Sequence, residues 1–442
     1  MTPSARIAAA IDLLDAIDAD VRPADQVASS YWRARRFMGS KDRRAVSELV
    51  WGCLRKRARL DWWLAQLEQA PTARLRVLAA LVLGEQLAGE ALAALFDGIA
   101  NGATELTSAE RVLADRLAGH ELFHHAMPPW VRGEFPPWLE GRLAAQWGDS
   151  RLVQEMGALR DEAPVDLRVN RLKADRDSAA AALAAEGLES APTRLSPIGL
   201  RLPARTQLTC RVAFQEGLVE VQDEGSQLVA LLTDARPGQA VLDYCAGAGG
   251  KTLALAATMA NKGRIVALDT HAVRASKAAE RLHRAGVHNV ERRILESAND
   301  RWLKRQTDRF DRVLVDAPCS GSGTWRRNPD AKWRLQPARL AGLTSTQQSI
   351  LDSAAKLVKP GGRLIYATCS ILPEENDQQV ADFQASHSEF NLLPVQQVWQ
   401  DVLGGPAPDD DTPLLHLTPA RNGTDGFFVA IFERPLPANA AH

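Results

Sequence analysis

Through roughly the first 125 residues, apolar positions recur at helical spacing. In "KDRRAVSELVWGCLRKR", which follows Ser40, the residues Val46, Leu49, Val50, Cys53 and Leu54 share one helical face. Ser40 is the expected N-cap, since its hydroxyl can accept a bond from a free amide of the first turn. Ala- and Leu-rich helical patterns continue to Leu122. The most apolar stretch, "VLAALVLGEQLAGEALAALF" (Val77 to Phe96), contains Glu85 and Glu90, so it is expected to be packed helix and not a membrane span. "MPPWVRGEFPPWL" (Met127 to Leu139) breaks the pattern with four prolines and marks a boundary.

From about 130 to 228 the periods mix. "VDLRVN" predicts a strand, and "SAAAALAAEGL" a helix closed by Gly187. "VAFQEGLVEVQDEG" predicts a strand, a turn at Glu216-Gly217 and a second strand. From Gln227 onward strands and helices alternate, with strands expected at 240–244, 264–269, 290–295, 312–316 and 363–368. That rhythm predicts an α/β, doubly wound parallel sheet, whose ligands bind at the carboxyl ends of the strands. Asp316, Cys319 and Cys369 all fall there.

The totals narrow the function classes. The chain has 442 residues, 45% of them apolar and 24% charged, which suits a globular protein of several domains. The formal net charge of −1 excludes a bulk polycation, so a nucleic-acid surface has to be a local patch. The five cysteines form no C-x-x-C and no zinc spacing, which points to a reducing cytoplasm. The start, "MTPSARIAAAIDLLDAIDAD", carries Asp12 and Asp15 and lacks a signal peptide's uninterrupted apolar core.

"VLDYCAGAGGKT" (Val241 to Thr252) is a strand, a glycine-rich turn and a helix start. A phosphate-binding P-loop needs glycine where Cys245 stands, and a strict dinucleotide fingerprint needs glycine where Thr252 stands. What remains is a turn that lets backbone approach an adenosine-type ligand. Asp269 follows about 20 residues on, suited to the ribose hydroxyls. S-adenosylmethionine fits, having a ribose but no phosphates; the alternative is a purely structural turn.

Two thiols at strand ends of one sheet suggest a chemistry. Carbon 5 of a pyrimidine attacks a methyl sulfonium poorly. A thiolate added at carbon 6 makes the ring an enamine, and an acid must hold the ring edge as charge builds. Asp316, Cys319 and Cys369 provide both groups. The residues alone do not rank the two thiols, and a lone cysteine is more often a packing residue.

"CAGAGGKT", "DAPCSGSGTWRRNPDAKW", "ATCS", "VQDEGSQLVA" and "TPARNGTDGFFVAIF" together resemble the signature motifs of the RNA cytosine-C5 methyltransferases, the Sun/RsmB-like family, over residues 128 to 434. The resemblance implies a Rossmann-like methyltransferase domain at 229–436, a small α+β, RRM-like module at 128–228, and a NusB-like helical RNA-binding domain at 1–127. It implies Cys369 as nucleophile, Cys319 as the residue assisting product release, and Asp316 as a contact to cytosine and cofactor. It implies a cofactor pocket of Cys245, Ala246, Gly247, Ala248, Gly249, Gly250, Lys251 and Asp269, with Lys251 meeting either the cofactor or the target base. The acidic residue that family members use for adenine is expected at Glu296, with Asp300 as the fallback.

Between Tyr31 and Arg59 ten Lys or Arg face only Asp42 and Glu48, an excess that predicts phosphate contact. Arg326, Arg327, Lys332 and Arg334 are expected where an RNA backbone enters, with Trp325 and Trp333 stacking or packing. The expected activity is transfer of methyl from S-adenosylmethionine to cytosine C5 in 16S ribosomal RNA. A tRNA substrate and a non-catalytic assembly role are the alternatives. Neither DNA, nor a membrane, nor a metal is expected.

Overall fold

The computed structural model describes residues 1–203, 206–295, 300–408 and 412–437. They form two compact units. One holds Met1–Asp161 and Trp325–Gln336, the other the described residues of Glu162–Thr324 and Pro337–His442. Among the described residues no helix is long and apolar enough to cross a membrane.

The first unit is built on helices Pro3–Ala19, Ala24–Ala34, Ser40–Arg55, Arg57–Gln66, Ala73–Glu85 and Ser108–Leu117. Local chemistry starts several of them. Thr2 and Thr72 cap by accepting from Ala5 and Leu75 amides, and Thr107 with Glu110 forms a capping box. Ser40 is instead the first helical residue; Gly39 precedes it and no side chain caps the turn. Leu13, Val46, Val50, Leu60, Leu64, Val77 and Leu78 close a common core. The long apolar stretch is broken after Glu85, where Gln86 turns left-handed at φ 54°, and a short helix Gly89–Ala93 follows.

The segment Trp325–Gln336 belongs to this helical unit, and burial of Arg326 and Lys332 corrects the expectation that these two cations line an RNA path. Trp325, Arg326 and Lys332 are buried, and Trp333 packs on the helical core. Arg55 donates to the Arg326 carbonyl at 2.6 Å, and Asp330 accepts from the Ala24 amide at 3.0 Å. Glu134, fully buried, accepts from the Ala58 amide at 2.8 Å and from the Arg59 side chain at 2.8 Å. Burial pushes Lys332 down to about 8 against the pull of Glu134. Arg55, Arg59, Arg326 and Lys332 thus turn inward and serve packing.

The second unit opens with a small antiparallel sheet of β1 (Val165–Val169), β2 (Ala191–Pro192), β3 (Gly199–Leu202) and β4 (Val219–Val221), in the order β2-β3-β1-β4. Helix Arg176–Ala185 starts at the Asp175 cap and closes at Gly187, φ +75°. The first strand expected in "VAFQEGLVEV" is instead a helical turn, Val212–Gln215. Its free amides explain this: the Glu186 carboxylate accepts from Val212 and Ala213, each at 2.8 Å.

The large sheet holds β5 (Ala240–Asp243), β6 (Arg264–Asp269), β7 (Val290–Ile294), β8 (Phe310–Asp316), β9 (Val358–Thr368), β10 (Asn391–Leu393), β11 (Leu415–Leu417) and β12 (Phe427–Glu433). The order is β10-β12-β9-β8-β5-β6-β7, with β11 beside β12. β5 to β9 pair in parallel, while β12 joins β9 antiparallel. Alternate residues feed opposite faces. Leu242, Val313, Val315, Leu364 and Tyr366 enter one core; Val241, Leu314, Ile365 and Ala367 enter the other. Burial on both faces is why these strands read as unbroken apolar runs. The chain steps from β5 outward to β6 and β7, then returns to β8 on the other flank. That is a topological switch point, and Asp243, Asp269, Asp316 and Thr368 end the strands around it.

Candidate active site

The glycine turn leaves β5 at Asp243 and enters helix Gly250–Thr258. Gly247 and Gly249 are left-handed, φ +57° and +80°, a conformation that costs glycine little. A Cβ at Gly249 would press to 3.1 Å from that of Ala278, whereas one at Gly247 would project into open space. The turn is pinned from behind: Ala246 donates to the Leu268 carbonyl at 2.8 Å, and Arg281 to the Ala248 carbonyl at 2.7 Å.

Asp269 stands at the mouth of this turn. Its two oxygens accept from the Gly247 and His271 amides, each at 2.7 Å. The carboxylate is held in place with further lone pairs unspent. Asp243, fully buried, accepts from the Thr252 hydroxyl at 2.6 Å, and its other oxygen has no hydrogen-bond partner among the described residues. Burial raises its carboxyl to about 6; the Thr252 bond opposes this, and the Asp316 and Asp269 charges add to it. The open space beside Gly247 and the anchored carboxylate fit a ribose-bearing ligand without phosphates.

Lys251 lies one residue into the helix and reaches Asp316 at 2.6 Å. Burial alone would lower its ammonium value, but the Asp316 charge and bond outweigh it, so Lys251 stays charged. Cys369 and Asp243 add to that upward pull.

The Cys319 and Cys369 sulfurs approach to 3.4 Å, and both residues are free thiols, half-buried. Bonding to Cys369, then burial, hold the Cys319 thiol well above its ordinary value. Cys245 is a third thiol near the site, but burial and then the Asp316 charge push it up, which suits packing.

One buried acid, absent from the sequence reading, ties both thiol loops together. Glu375 accepts from the Ser320 amide at 2.8 Å, from the Ser320 hydroxyl at 2.5 Å and from Gln347 at 3.0 Å. The Ser322 and Ser370 hydroxyls, 2.9 Å apart, link the same loops, and Asn376 holds Thr368 and the Ser370 carbonyl.

The structure thus gathers Cys245 to Lys251, Asp269, Asp316, Cys319 and Cys369 around one switch point. Glu296 lies outside the described residues. Asp300 caps helix Arg301–Lys304, accepting from the Trp302 amide at 2.7 Å.

Residues 230–433 match the family described as 16S rRNA methyltransferase RsmB/F, and residues 135–209 match a ferredoxin-like domain of RsmF/B-like methyltransferases. Ribosomal RNA small subunit methyltransferase B of Sodalis glossinidius is 33% identical over 414 residues, 89% of this chain and 90% of that protein. The crystal structure of PH0851 aligns with a TM-score of 0.78 at 26% identity, covering 98% of this chain and 99% of that one. A methyltransferase homologue from Pyrococcus horikoshii gives 0.60 at 28% identity, covering 70% of this chain and 98% of that one.

Proposed function

The chain belongs to the 16S rRNA methyltransferase RsmB/F family and is an S-adenosylmethionine-dependent RNA methyltransferase, and from that premise we propose that it methylates carbon 5 of a cytosine in small-subunit ribosomal RNA through a covalent bond to Cys369. The observation that carries the reading is the 3.4 Å approach of the two sulfurs beside the Lys251–Asp316 pair.

The roles follow from the site. The Gly247 turn and Asp269 hold the cofactor, and when bound it supplies a methyl group as an electrophile. Cys369 attacks carbon 6 as thiolate; the sulfur–carbon bond forms and electron density moves to carbon 5. Asp316, kept in place by charged Lys251, bonds the ring's nitrogen edge as charge builds there. The base has to leave its stack to expose carbon 6, so a single-stranded or loop site is the substrate. Cys319 assists the release that follows: the carbon 5 proton is removed and passes to solvent. The carbon–sulfur bond then breaks and Cys369 leaves as thiolate. One proton is released per methyl gained, so the steps balance.

In this reading residues 1–127 are an RNA-binding domain, 128–228 an RRM-like module and 229–436 the catalytic domain. Bisulfite sequencing of total RNA from cells with and without the protein tests the function. A 16S cytosine that loses protection is expected. Loss only in tRNA, or in no RNA, overturns the ribosomal assignment or the cytosine assignment respectively.

A further inference from the structure

The helical unit contains an open cavity of about 530 Å³, lined by Asp25, Ser29, Trp32, Arg33, Arg36, Arg43 and Trp51 among others. That size lies within the roughly 300–1,000 Å³ usual for ligand sites. Its lining is unusual for a mere dent between helices. Three guanidinium groups face one carboxylate, and two tryptophans stand half-buried in its wall. Phe37, next to Arg36 in the turn joining the two helices, is 77% exposed.

The cations are largely uncommitted. Arg33 donates to the Ser30 hydroxyl at 3.2 Å, and Arg43 uses only its Nε, toward the Met38 carbonyl at 2.8 Å. The Arg36 guanidinium has no hydrogen bond or ion pair among the described residues. Arg35, between them in sequence, points elsewhere, pairing with Asp12 and covering Tyr31. Unpaired guanidinium groups beside aromatic faces match the two features of a single nucleic-acid strand, phosphates and flat bases. An aliphatic or cationic ligand would leave these charges unanswered.

We propose that this cavity binds one unstacked nucleotide of single-stranded RNA, its base against Trp32 and Trp51 and its flanking phosphates on Arg33, Arg36 and Arg43. The proposal rests on the reading of the chain as an RNA methyltransferase, and it adds an anchoring site distinct from the two thiols. The earlier-suspected Arg55 and Arg59 have no part in it, because they are buried.

The test uses the full-length protein and a short oligouridylate carrying one 4-thiouridine, a strand without cytosine. Irradiation is expected to attach it at Trp32 or Trp51. Arg33→Ser combined with Arg36→Ser is expected to lower the slope of log affinity against log salt by about 1.4, two single-strand phosphate contacts. Attachment only at other residues, or an unchanged slope, overturns the site. Polyglutamate binding that depends on Arg33 and Arg36, without attachment of the oligouridylate, assigns the cavity to an acidic protein segment and also overturns it. Methyl transfer to a 16S transcript is followed separately. No transfer with the attachment intact removes the catalytic reading and leaves the cavity assignment standing.

Discussion

The Glu375 carboxylate accepts from the Ser320 amide at 2.8 Å across a gap of 55 residues, and so joins the loop after β8 to the loop after β9. Each loop carries one thiol, so this buried bond sets their spacing. Glu375→Ala is expected to lower stability by about 1–3 kcal/mol, since the Ser320 and Gln347 donors lose a charged acceptor. It should also lower kcat more than it raises the cofactor Kd. Glu375→Gln, which keeps one acceptor oxygen, should recover part of kcat. Denaturant melts and steady-state kinetics check this; an unchanged kcat in the alanine variant would remove Glu375 from any positioning role.

Asp269 is anchored by two amides before any ligand arrives. Asp269→Ala is expected to weaken S-adenosylmethionine binding by about 1–3 kcal/mol through lost charge-assisted bonds. Calorimetry giving equal affinities would exclude it from the ribose site.

Asp243 gives a pH signature. Its carboxyl titrates near 6 in the fold against an ordinary 3.8, so the folded chain binds this proton more tightly than the unfolded chain. That contribution favours folding at the acid end and is lost as pH rises through about 6. Asp243→Asn should therefore flatten the fall in stability between about pH 4 and pH 6 relative to the parent protein. Equal slopes in urea titrations across that window would contradict the assignment.

In the helical unit, Glu134 answers Arg59 and lies near buried Lys332. Glu134→Ala leaves buried cations unpaired and should destabilise this unit by about 3–5 kcal/mol. Guanidinium melts followed by tryptophan fluorescence check this; a loss under 1 kcal/mol would mean the cluster is wet.

The catalytic half of the fold was legible because both-face burial writes each parallel strand as an apolar run, and because strand ends carry Asp269 and Asp316. The glycine turn was legible for the same reason: left-handed backbone demands glycine. Glu375 was not, since nothing local marks a glutamate as buried; its donors come from residues 28 and 55 positions away. The basic residues misled for the converse reason. Arg55, Arg59, Arg326 and Lys332 look like a surface run until tertiary packing supplies carbonyls and Glu134. "VAFQ" looked like a strand because a four-residue apolar run has no period of its own, and the deciding Glu186 lies 26 residues earlier.

The most direct measurement of the covalent mechanism is a denaturing gel of labelled RNA with cofactor and each thiol variant. Cys319→Ala should attack and transfer methyl but fail to release, so a denaturation-resistant protein–RNA adduct should accumulate. Cys369→Ala should form no adduct and transfer no methyl, and the double variant should match it. An adduct in Cys369→Ala but not in Cys319→Ala would reverse the two roles, and full turnover by both single variants would contradict covalent catalysis by either thiol.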